Sequence, residues 1–125
     1  MRYFVLILAA FLLLSSCGMP TRPNEYGRYP VELIVVDRVS KNFVARVTSR
    51  STIIIEREYK RNVTIVAHEL CHIVQWNTLG ATFPTLYAKQ WISYGYDNMP
   101  LELECDRLEQ DEWYRDWARD LIDTL

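Results

Sequence analysis

Residues 63–75 read Val63-Thr64-Ile65-Val66-Ala67-His68-Glu69-Leu70-Cys71-His72-Ile73-Val74-Gln75. The run is apolar apart from a few polar positions, as a buried helix requires. On a helix, residues four apart share one face, so imidazoles at positions 68 and 72 can grip one metal ion. Glu69 projects about 100° round the axis from His68. That direction suits a carboxylate that reaches water at the ion rather than the ion itself. The chain has two histidines, and both lie in this pentapeptide. If the protein does chemistry, it is expected here.

The helix carries its own punctuation. Asn62 can cap a start at Val63, and Gly80 is a stop signal just past an end near Thr78. Ahead of it, residues 31–36 have a buried-strand pattern, residues 43–48 alternate loosely, and residues 52–56 form a third strand pattern. Strands this close in sequence predict an antiparallel meander on one face of the helix. Behind it, Pro84 can open a second helix to about Ser93, followed by a loop over 94–98. Asn98 and Pro100 then begin a last helix expected to run to near Thr124. Its stripe is Leu101, Cys105, Leu108, Trp113, Trp117 and Leu121. The fold class is α+β.

At 125 residues the chain has room for one small domain. A composition 50% hydrophobic and 24% charged is globular, and with a net charge of −2 nothing suggests a general nucleic-acid binder. Charge is uneven: residues 22–61 are rich in Arg and Lys, whereas residues 97–123 are rich in Asp and Glu. Such runs are solvated faces or, where carboxylates cluster, metal ligands.

Residues 1–16 are expected to be removed. Arg2 is a short positive region, and the apolar run over 4–14 is shorter than the roughly 20 residues that span a bilayer. The run ends in Leu14-Ser15-Ser16-Cys17, which resembles a bacterial lipobox. That resemblance implies cleavage before Cys17, lipidation of Cys17, and anchoring in the cell envelope. Gly18 after the cysteine resembles lipoproteins sent to the outer membrane of cells that have one. Residues 17–30, with three of the five prolines, read as the lipidated cysteine and a flexible tether. Residues 31–125 are left as the folded domain.

Catalytic zinc takes three protein ligands and keeps a fourth position open. With no third histidine, the third ligand is Asp, Glu or Cys. Residues 99–106, Met-Pro-Leu-Glu-Leu-Glu-Cys-Asp, place acids at the start of the last helix. Together the two segments resemble the gluzincin-type zinc metallopeptidases, in which the HExxH helix is followed by a helix bearing a glutamate ligand. The closer similarity is to small bacterial domains with HELxHxxQ and then Tyr-x-Asn-Pro-x-Glu-x-Glu-Ala. This chain departs from that pattern by Met99, inserted between Asn98 and Pro100, and by Cys105 in place of Ala. The resemblance covers about residues 52–109.

Helical register ranks the acids. Glu102 and Asp106 share a face, whereas Glu104 points about 200° away from Glu102. Glu102 is therefore the expected ligand and Glu104 the alternative. Asp106 is either an orienting partner for a ligand histidine or a solvent-facing acid.

The resemblance further implies a zincin-like minimal domain with Zn²⁺ on His68, His72 and Glu102. Glu69 would be the general base and proton donor, and a peptide or protein the substrate. It implies an oxyanion-stabilising tyrosine among Tyr87, Tyr94 and Tyr96, and an edge strand at residues 52–56 that takes an extended peptide. Cys71 and Cys105 remain as an even pair in an exported chain. They form either a disulfide pinning the two ligand helices or two buried small side chains, and a cysteine metal ligand is a third option. The expected function is an exported, lipid-anchored zinc metallopeptidase. The alternative is a non-catalytic zinc-binding envelope lipoprotein.

Overall fold

The computed structural model describes residues 24 and 26–125. The segments expected as signal peptide, lipidated Cys17 and the first part of the tether lie outside the described residues. The element order is β1 (Glu32–Val36), β2 (Ala45–Ser49), β3 (Thr52–Glu56), α1 (Val63–Leu79), α2 (Phe83–Tyr94), α3 (Pro100–Leu108) and α4 (Glu112–Ile122), with short 3₁₀ turns between. The class is α+β.

The sheet is mixed, not an antiparallel meander. Its order is β1-β3-β2, with β1 parallel and β2 antiparallel to β3. Residues 37–44 carry the chain from β1 past the position of β3 to the far edge, and the short turn after β2 brings it back between the two. Strand β3 is therefore central, and the expected edge at residues 52–56 is instead flanked on both sides. Among the described residues the outer strands, each paired on one side only, are β1 and β2. Alternation in β3 explains its place: Ile53 and Ile55 are fully buried on the face toward α1. Truncating either to Ala would cost about 2–5 kcal/mol.

Helix α1 is the axis of the core, touching β2, β3, α3 and α4. Val66, Ala67, Leu70, Cys71 and Ile73 have no exposed surface. Its ends follow the sequence: the Asn62 side chain accepts from Ile65 N at 3.0 Å, and Gly80 closes it at φ +63°, a conformation that favours glycine.

The single last helix expected from residue 100 onward is two helices. After α3, Asp111 breaks the run and caps α4, its Oδ1 accepting from Trp113 N at 3.0 Å. The five-residue step from Leu108 to Trp113 is the trace of this break. Tyr114, Trp117, Ala118, Leu121 and Ile122 are buried in α4. Within the segment expected as tether, residues 26–30 lie against α4. Arg28 pairs with Asp120 at 2.6 Å, and Trp113 Nε1 donates to the Tyr26 carbonyl at 3.1 Å.

Candidate metal centre

His68 and His72 stand one turn apart on α1, and Glu102 faces them from the first turn of α3. Pro100 at the start of α3 suits a position whose N–H needs no helical partner, while Gln90 Oε1 accepts from Leu101 N at 2.9 Å. The helix is thereby fixed where its second residue after the proline meets the histidines. Glu102 Oε2 lies 2.8 Å from His68 Nε2, and Glu102 Oε1 lies 3.1 Å from His72 Nε2. One ligand atom from each residue falls within 4.8 Å of the others, so the three can hold a metal ion.

The far nitrogens are also held. His68 Nδ1 lies 2.9 Å from Glu109 Oε2, and His72 Nδ1 lies 2.8 Å from Gln75 Oε1. In a neutral imidazole, an Nδ1–H donated to these partners would turn the Nε2 lone pair toward the shared point, as metal-bound imidazoles require. Tyr87 donates its hydroxyl to Glu102 Oε1 at 2.6 Å.

Electrostatics follow from this crowding. Burial opposes charge on His68, but the hydrogen bond to Glu102 and the charges of Glu69 and Glu102 outweigh it, raising its pKa to about 9. Burial likewise opposes a charged His72, and again Glu102 and Glu69 prevail and push it up. For Glu102, burial works against the carboxylate, yet the two imidazoles and the Tyr87 hydroxyl hold it well below the usual range. Burial pushes the Glu69 carboxyl up against the pull of His72 and His68.

No known family model matches this chain, and no curated protein or solved structure is significantly similar to it. What the centre can do follows from its own atoms.

Glu69 makes no hydrogen bond to the cluster but lines a cleft of about 440 Å³ together with His72 and Glu102, within the size range of small-ligand sites. Strand β2 forms one wall, and aromatic residues of α2 form the other. Glu104 is exposed and turned from the histidines, its Oε1 accepting from Gln75 Nε2 at 3.3 Å. Asp106 is exposed and approaches His68 Nδ1 only to 3.5 Å; Glu109 holds that nitrogen more closely. Among the tyrosines, Tyr87 is committed to Glu102, Tyr96 lines the cleft, and Tyr94 is 57% exposed. Cys71 and Cys105 form a disulfide joining α1 to α3 with Cα atoms 5.5 Å apart.

Two partners escaped the sequence reading. Glu109 lies seven residues beyond Glu102, two helical turns along the same face, and that spacing was a usable signal. Gln75 lies three residues after His72, also on one face, and was read only as part of a motif.

Proposed function

We propose that the protein is a zinc-dependent peptidase of zincin-like type, exported and held to the envelope by lipid on Cys17. The observation that carries this reading is the placement of Glu69. A buried carboxylate opens on a cleft beside a donor set of two imidazoles and one carboxylate, with both imidazoles oriented from behind. Two nitrogens and one oxygen are a donor set suited to catalytic zinc. A closed four-ligand structural site would have no use for Glu69.

His68, His72 and Glu102 would hold the ion. When bound, zinc polarises the scissile carbonyl and acidifies water. Glu69 would take a proton from the attacking water and deliver it to the leaving amine, a contribution of about 10²–10⁴-fold. Gln75 and Glu109 keep the histidines in register through the turnover. Tyr87, hydrogen-bonded to Glu102, positions the third ligand. The outer edge of β2 lies along the cleft, where backbone N–H and C=O groups can pair with an extended peptide. The buried disulfide supports export to an oxidising compartment.

The deciding experiment pairs metal analysis with a peptidase assay on the wild type and Glu69→Gln. Stoichiometric zinc in both, with cleavage lost only in the variant, supports the peptidase. Zinc in both with cleavage in neither identifies a metal-binding module, and absence of metal from both overturns the reading.

A further inference from the structure

The cleft beside the centre is lined by one arginine. Arg46 lies on β2, an outer strand, and lines the cleft with Glu69 and His72. It is the one arginine or lysine among the lining residues. Arg46 is exposed, and among the described residues it makes no ion pair and no side-chain hydrogen bond. Arg38, Arg50, Arg61 and Arg107 are likewise without an ion pair or side-chain hydrogen bond among the described residues, but only Arg46 lines the cleft.

The acids of the cleft do not satisfy Arg46. Glu102 is already occupied by two imidazoles and a phenol. Glu69 is buried and feels the arginine only through space. The opposite wall offers Tyr87, Trp91 and Tyr96, with Phe43 packed on Trp91 and Tyr96 at ring separations of 6.1 and 5.4 Å. Aromatic walls exclude water from a bound chain and strengthen any charge pairing at its rim. A guanidinium presents a planar fork that matches a carboxylate with two parallel hydrogen bonds. One such fork balances one carboxylate.

We propose that Arg46 is the docking cation for a substrate carboxylate and, given the peptidase reading of the centre, that the protein cleaves peptides carrying one within the span of the cleft. The carboxylate belongs to an acidic side chain or to the C-terminus of the substrate. Held by Arg46 on β2, such a group fixes the peptide along the strand edge, with its neighbouring bond over Glu69.

The test uses the zinc-loaded full chain and matched fluorogenic peptides. One set differs only by Glu against Gln at successive positions, and the other by free acid against amide at the C-terminus. The acidic member is expected to have kcat/KM about tenfold or more higher, chiefly through KM. In Arg46→Gln that ratio falls toward one, and in Arg46→Lys it is partly kept. The set that shows the effect identifies the source of the carboxylate. Equal wild-type rates within every pair overturn the proposal and leave the peptidase reading standing. A fall in kcat common to all peptides in Arg46→Gln, with the ratio unchanged, also overturns it and assigns the arginine to Glu69. If the zinc-loaded wild type cleaves no peptide, both fall together.

Discussion

Gln75 ties His72 to the helix that carries Glu102. Its Oε1 lies 2.8 Å from His72 Nδ1, while its Nε2 donates to the Leu101 carbonyl at 2.9 Å. One buried amide thus sets both the tautomer of a ligand and the distance between the ligand-bearing helices. Gln75→Ala should lower zinc affinity about 10- to 100-fold, read by competition with a chelator on protein whose circular dichroism is unchanged. An unaltered affinity would assign Gln75 to packing alone.

The two acids behind His68 should separate cleanly. Glu109→Gln removes the carboxylate 2.9 Å from Nδ1 and should weaken zinc binding about tenfold or more. Asp106→Asn, at 3.5 Å and exposed, should change it little. The reverse order would show that Asp106 is the orienting partner after all.

The third ligand is testable in the same way. Glu102→Ala should abolish stoichiometric zinc. Glu104→Ala, which loses only a 3.3 Å contact with Gln75, should retain it. Loss of metal in the second variant alone would move the ligand assignment one face round the helix.

Protons and metal compete for the histidines. In the metal-free protein, burial works against a charged His68, but Glu102 and its neighbours prevail and raise its pKa from 6.5 to about 9. Zinc binding must displace that proton, so apparent affinity should climb with pH up to about 9. The sign for stability is opposite. A raised histidine pKa contributes stability that is full below 6.5 and is lost as pH rises through about 9. Melting curves in EDTA from about pH 6 to about pH 10 should show this contribution fading, whereas a steady gain in Tm over that range would contradict it.

Removing the disulfide should cost stability as well as geometry. Cys71 and Cys105 are 34 residues apart in sequence, a closure worth about 3–4 kcal/mol on the chain-entropy account. Urea unfolding of Cys71→Ala/Cys105→Ala against the oxidised wild type measures it. Two free thiols in the purified mature protein would show that the bond is not formed.

The parts of this molecule that were legible in its sequence are those governed by local rules. Helix α1 could be read because a cap, a glycine stop and an apolar context all act within a few residues of one another. Glu102 could be ranked above Glu104 because helical register alone separates their faces. The strand order could not. Residues 31–36, 43–48 and 52–56 carry strand patterns, but no periodicity encodes that β3 inserts between β1 and β2; a β1–β3 parallel pair is a matter of packing on α1. The break before α4 was visible only as a five-residue step and a capping Asp111, signals weaker than the apolar stripe that ran across them. Tyr87 illustrates a further limit. Its bond to Glu102 spans 15 residues and depends on how α2 folds back over the site.

The bond between Cys71 and Cys105 closes a covalent ring. His72, all of α2, Tyr96 and Glu102 lie inside it, while His68 and Glu69 stand just before its first member. Helix α2 buries only Phe83, so this wall of the cleft is open to attack by a protease. A single cut there would leave both new ends attached to the same molecule, and no ligand could diffuse away from the others. A nicked molecule would keep His68, His72 and Glu102 on one covalent body, although Tyr87 and Gln90, which hold Glu102 and the start of α3, lie in the cut helix.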